Sequence, residues 1–192
     1  MKKLLLIVFC LLLVGQVFAV VDPDDDMMGL YFDIQADEFC AEGVGPYTLI
    51  PMNLILTRPT MDTIFGFEAG CDMVGLGMVL SHLIIPPGGI IMLPWDNLIV
   101  GFSEPYPTST STLLVTYQVF YMDTGMGPLS FFLHGTSPSS LDPAYPAVLL
   151  PGGVIQSMGI SAQEGPTAQI NGDCAVVSTQ KMNFDGIKSL YR

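Results

Sequence analysis

Apolar and polar residues alternate with a period of two along much of this chain. Ile50, Met52, Leu54 and Leu56 fall on one side of a segment that stops at Arg58-Pro59. Between Thr63 and Asp72, Phe65, Phe67, Ala69 and Cys71 line one side, and Gly66, Glu68, Gly70 and Asp72 the other. Leu113, Val115, Tyr117, Val119 and Tyr121 share a side against Leu114, Thr116, Gln118 and Phe120. Successive side chains of a strand point to opposite faces, so these stretches read as half-buried strands. The segments 47–57, 62–72 and 112–122 are the expected central strands. Shorter apolar runs at 29–34, 78–85, 90–93, 97–102, 129–133, 147–150 and 175–177 supply more. Pro87-Gly88 and Pro151-Gly152 read as centres of type II turns, where Pro sets φ and Gly accepts a positive φ. The similar stretches LIIPPGGII and VLLPGGVI are recurring turn chemistry, since an array needs at least three copies at a fixed period. Residues 135–145 read as a surface loop. Helical spacing first appears in the tail, where Phe184, Ile187 and Leu190 or Tyr191 predict one short helix. The expected fold is all-β: a two-sheet antiparallel β-sandwich over 20–180, with a basic tail at 181–192 that forms a short C-terminal helix.

The first nineteen residues follow a different rule. Lys2 and Lys3 precede the apolar run Leu4 to Val14, and Val17-Phe18-Ala19 has the small-x-small pattern of a cleavage site. This is the pattern of a secretory signal peptide over 1–19, with the mature chain beginning near Val20. The run is too short for an uncleaved span, which needs about 20 apolar residues. Cys10 lies inside the apolar run rather than after a cleavage motif, which argues against a lipoprotein. Val74 to Leu93 is the next most apolar stretch, and Ser81, His82, Pro86, Pro87, Gly88 and Gly89 interrupt it. The expected location is secreted, extracellular or periplasmic, with no membrane insertion after cleavage.

Charge narrows the partners. The chain has 192 residues with eighteen acids and six bases. Removing Lys2 and Lys3 leaves Arg58, Lys181, Lys188 and Arg192 against all eighteen acids, a formal charge of −14. Such a surface repels nucleic acid and anionic lipid. It suits cations or neutral ligands such as glycans, or simply keeps a very apolar chain in solution. Three of those bases sit in the last twelve residues, whereas the mature start carries Asp22-Pro23-Asp24-Asp25-Asp26. The two ends are therefore candidates to pair, and the tail is a candidate address for another protein. Three cysteines outlast cleavage, in an oxidising compartment where a disulfide is expected. Cys71 falls on an apolar strand face and reads as a buried free thiol. Cys40 and Cys174 are left as the expected disulfide.

Candidate chemistry is sparse. His82 and His134 stand outside any metal-spaced cluster, and the chain has no HxxxH, CxxC, HExxH, GxSxG or Gly-rich phosphate loop. Eighteen acids make chance carboxylate pairs easy, so a glycosidase pair has no specific signal. Asp22, Asp24, Asp25 and Asp26 could offer oxygen ligands to calcium, but no EF-hand loop accompanies them. No catalytic residue and no cofactor is assigned. The candidate ligand contacts are Trp95, Asp96 and Asn97 in one turn, with Tyr106 and Tyr145 in other loops. A tryptophan beside two polar side chains can stack on a sugar ring while they bond its hydroxyls. The alternative is that these rings cap the ends of the sandwich core.

The segments LILTRPTMDTIFGFEAGCDM, LIVGF and STLLVTYQVFYMDTGMGPLSFFLHG, in that order between about Tyr47 and Gly135, resemble a cohesin-type domain. The first is similar to the strand, turn and I-x-GFE strand of that family, ending here at Asp72. The last is similar to the long strand pair that closes its core. The resemblance implies a cohesin- or immunoglobulin-like sandwich of the class that includes secreted carbohydrate-binding modules. It also implies a protein partner, since cohesins bind calcium-loaded dockerins through one sheet face. Cys71, the many methionines and the GIKSLYR ending depart from that pattern. The ING-x-C stretch and the KSLYR end also resemble small secreted proteins of environmental bacteria. The expected function is a secreted, non-enzymatic binding or adhesion module at the cell envelope that recognises a protein or a glycan. The alternatives are a structural envelope protein and an extracellular glycoside hydrolase.

Overall fold

A computed structural model describes residues 24–85, 89–91, 94–161 and 165–173. The expected signal peptide, the Pro87-Gly88 turn, Cys174 and the expected C-terminal helix lie outside the described residues. The strands in chain order are β1 (Met27–Tyr31), β2 (Cys40–Ala41), β3 (Thr48–Thr57), β4 (Thr63–Val74), β5 (Gly77–Ile84), β6 (Ile90–Ile91) and β7 (Asn97–Pro107). They continue with β8 (Ser111–Tyr121), β9 (Leu129–His134), β10 (Ala147–Leu149), β11 (Ile155–Ser157), β12 (Gly159–Ile160) and β13 (Ala168–Ile170). The three longest segments expected from alternation are β3, β4 and β8.

Two sheets face each other. One runs β12-β1-β3-β8-β5, and the other β11-β10-β4-β9-β13-β2, with β7 also on β4 and β6 on β7. Met28, Leu30, Met52, Leu54, Leu56, Tyr117 and Val119 from the first sheet meet Phe67, Ala69, Leu98, Leu129 and Phe131 from the second in one core. Gly70 pairs with Asn97 of β7 and with His134 of β9, so those two strands flank β4 on opposite sides. On the β9 side, β10 takes over the pairing at Glu68 to Gly66. Strands β9 and β10 are thus one line along β4, and residues 136–146 are an excursion from it.

Three details differ from the sequence expectations. The sandwich is mostly antiparallel, but β1–β12 and β13–β2 are parallel pairs. In each, a strand from late in the chain returns to lie beside one from the start; long connections permit parallel pairing where a hairpin cannot. Leu113 does not share the core face of Val115. The β3–β8 register shifts between Leu54 and Ile55, which leaves Leu114 as an extra residue. That bulge turns Leu114 into the core and sends Leu113 to the opposite face, beside Tyr31, Ala36 and Ile55. The β4–β7 register also shifts between Ile64 and Gly66, where residues 102–105 of β7 bulge opposite Phe65; here Ile64 is in the core and Phe65 is half-buried. The Pro151-Gly152 turn is as expected: Gly152 has φ 81° and ψ 5°, and Gly153 N–H donates to Leu150 O at 3.2 Å.

Several buried polar groups of the two sheets are hydrogen-bonded, as burial away from water requires, whereas the buried His134 Nε2 has no hydrogen-bond partner. Tyr31 Oη meets Ser161 Oγ at 2.9 Å, Thr116 Oγ1 donates to Asn53 Oδ1 at 2.9 Å, and Tyr121 Oη donates to Gly127 O at 2.6 Å.

Candidate functional site

The outer face of β3, β8 and β5 mixes polar residues with apolar ones, and several of the apolar ones are exposed to solvent. Alternation buries Met52 and Leu54 of β3, which turns Leu49 and Pro51 outward. Register places Leu49, Phe120 and Met78 in one row across the three strands. The next rows are Pro51, Gln118 and Ser81, then Asn53, Thr116 and Leu83. Leu80 sits at a register shift between Val79 and Ser81. The Tyr47 ring lies 6.4 Å from the Phe120 ring at the end of the face. Leu49, Met78, Leu80 and Leu83 are 43–58% exposed, and Val74 and Leu76 at the adjoining β4–β5 hairpin are each 60% exposed. Strand β5 is also an edge of its sheet. A row of exposed apolar side chains next to an open strand edge is a recognised mark of an interaction surface. The sequence held a trace of this face, because the run GMVLSHLI is apolar on both sides of a strand. Alternation arguments look for one apolar side, so the outward-facing set was missed.

Four of the five expected ligand contacts lie in one region, and most of them are already engaged within the domain. Trp95 packs on the core, its ring edge-on to Tyr117 at 6.4 Å. The backbone of Asp96 accepts from Cys71 N–H at 2.9 Å, and its side chain is exposed. Asn97 is committed to the 136–146 excursion: Ser137 N–H donates to its Oδ1 and its Nδ2 donates to Ser137 O, both at 2.8 Å. Tyr106 lies near the other end of β7, about 20 Å away at strand rise, because its partner Ile64 and the Asn97 partner Gly70 are that far apart along β4; its ring is 5.6 Å from Phe102. Tyr145 is exposed at the end of the excursion. Trp95, Asp96, Asn97 and Tyr145 thus share one region, and Tyr106 is remote from it.

Several acids work as loop staples. Glu68 is 5% exposed and receives Ser139 Oγ–H at 3.0 Å, Ser140 N–H at 3.0 Å and Ser140 Oγ–H at 2.8 Å. Asp33 accepts from the backbone N–H groups of Gln35, Asp37 and Glu38, and Asp123 from those of Gly125 and Gly127. Asp26 binds Thr60 and Gln156, and Asp25 pairs with Arg58 at 3.0 Å. The calcium candidates Asp25 and Asp26 are therefore tied to the domain, and Asp22 lies outside the described residues. Among the described residues no group of three His, Cys, Asp or Glu is placed to hold a metal ion.

His134 lies over Gly70, with Nδ1 against Gly135 O and Nε2 3.6 Å from Asp72 Oδ1. His82 stacks obliquely on Tyr117 at 6.4 Å. Cys71 is the free cysteine among the described residues, buried as expected. Burial, and then the Asp72 carboxylate beside it, push its thiol up to about 12. Burial also raises the Tyr117 phenol well above its usual value. Cys40 is not a free thiol, and its expected partner Cys174 lies outside the described residues. Two shallow concavities open to solvent: one of about 480 Å³ beside Arg58, Thr60 and Thr108, and one of about 500 Å³ beside Asp37, Phe39 and Glu42.

No protein-family model and no curated protein matches the chain. Solved structures do. The third ScaB cohesin of R. flavefaciens, solved in complex with a group 1 dockerin, is 11% identical with a TM-score of 0.49, covering 78% of this chain and 96% of that one. CaCohA2 from Clostridium acetobutylicum is 14% identical with a TM-score of 0.46, covering 79% and 92%. The cohesin module of a Clostridium perfringens family 33 glycoside hydrolase is 6% identical with a TM-score of 0.47, covering 69% and 90%. Each of these three solved structures is or contains a cohesin module, a β-sandwich with which this chain shares its fold.

Proposed function

We propose that this chain is a secreted, non-catalytic binding module that docks a protein partner at the cell envelope on the outer face of β3, β8 and β5. The row of Leu49, Phe120 and Met78, extended by Leu80 and Leu83, carries the reading. A sheet face of this kind offers a flat, mostly rigid surface, and burying it against a partner removes apolar area from water at about 25 cal/mol per Å². The leader at 1–19 supports export. The glycan version, resting on Trp95, Asp96, Asn97, Tyr106 and Tyr145, has less behind it: Trp95 is packed on Tyr117, Asn97 is bonded to Ser137, and Tyr106 is at the far end of β7.

The test compares residues 20–192 with its Met78→Glu and Leu83→Glu variants for retention of an envelope protein. Val154→Glu, at the remote β10–β11 turn, is the control. All three positions are exposed, so each variant should keep its stability within about 0.5 kcal/mol. The expected result is at least about a tenfold loss for the two face variants, since a charge buried in an apolar contact costs more than the 1.4 kcal/mol that a factor of ten represents. Equal retention by all four proteins would remove the proposed face.

A further inference from the structure

We infer that the outer face of β3, β8 and β5 is covered in the free protein by the chain's own C-terminal segment, residues 174–192. Three observations carry this. The first is where the described chain ends. Ile170 of β13 pairs with Leu129 and Ala41, and Asn171 exchanges hydrogen bonds with Val44, its Nδ2 donating to Val44 O at 2.7 Å. The Leu129 side chain in turn lies against Gly75 and Gly77 at the β4–β5 hairpin. Gly77 and Thr48 both pair with Tyr121. The chain therefore leaves the sandwich at the end where Tyr47, Leu49, Leu76 and Met78 are exposed.

The second is reach and composition. Nineteen residues follow position 173. They span about 28 Å as a helix or about 60 Å extended, enough to cross three strands about 5 Å apart. The segment brings Phe184, Ile187, Leu190 and Tyr191 to the apolar residues of that face.

The third is charge. Arg58 is the single basic residue among the described residues, and it is already paired with Asp25. The remaining bases of the mature chain, Lys181, Lys188 and Arg192, are all in this segment. A cationic apolar segment suits an acidic sandwich, whereas a second sandwich would bring the same acidity to the contact.

Covering this face makes the tail a competitor for the partner. The inference uses the same surface as the proposed function, but the readout below needs no partner, so the two fail separately. The probe is the methyl resonance of Met78 in residues 20–192 labelled at methionine methyls, compared with the Phe184→Ala/Ile187→Ala double variant. The expected result is a shifted Met78 resonance in the variant, with the buried Met28 and Met52 methyls unchanged as the internal check on folding. The variant should also hold an envelope partner severalfold more tightly, because less of the binding-competent form is occupied. A Met78 resonance identical in both proteins would overturn the inference. A difference that appears only as concentration rises would overturn it too, by showing that the tail serves a neighbouring copy.

Discussion

Cys71 shows how much one position can carry. Its place on an apolar strand face is legible from the alternation of Phe67, Ala69 and Cys71, and the structure buries it with that set. Its chemistry follows from the same burial. A thiol pushed up to about 12 keeps its proton when folded, whereas the unfolded chain releases it near 9.0. Between those values the unfolded state binds fewer protons, so stability falls as pH rises, by about 1.4 kcal/mol per pH unit for one group. The denaturant midpoint should hold below pH 9 and decline from there toward 12, and Cys71→Ala should flatten that decline. Tyr117, raised by its own burial, keeps a residual slope at the upper end. A thiol this protonated should also resist alkylation in the native protein at pH 8 and react once unfolded. Prompt native alkylation would contradict the burial.

At the scale of elements, strands were readable and faces only partly so. A period of two assigns faces correctly until an extra residue enters. The bulge at Leu114 then reverses the assignment over part of β8, and opposite the bulged part of β7 it is Ile64, not Phe65, that lies in the core. Nothing local to those residues announces a bulge, because it is set by how the neighbouring strand is paired. The 136–146 excursion teaches the same lesson. Its surface placement follows from GTSPSSLDPAY, but its attachment to Glu68 and Asn97 comes from strands that meet it only in the folded chain. Glu68→Ala leaves Ser139 and Ser140 without their acceptor. It should lower stability by about 2 kcal/mol and raise amide exchange across 137–141, with β3 and β8 unaffected. Unchanged exchange in the loop would show that Asn97 alone holds it.

Over the whole molecule, the joining of chain ends decides what the sandwich can do. Strands β1 and β2 from the start pair with β12 and β13 from the end. A disulfide between Cys40 and Cys174 would fix that closure covalently and reduce the freedom of the unfolded chain across a long loop, an effect typically worth about 2–4 kcal/mol. A non-reduced digest should yield the peptide linking Cys40 to Cys174, and reduction should lower the melting temperature. A linked Cys40–Cys71 peptide would contradict both the pairing and the burial of Cys71. The outer face of β3, β8 and β5 also belongs to this scale. Leu49, Phe120 and Met78 are apart in sequence and become one row only through the register of three strands.

The sequence by itself determined the strand-rich character, the positions of the long strands and the acidity. Each follows from neighbours along the chain or from counts: alternation, turn residues and charge. Only the tertiary structure decided which apolar residues face water, which acids are spent on holding loops, and that Trp95 and Tyr106 stand far apart. Those properties depend on strand order, register and bulges, which arise from contacts between residues distant in sequence.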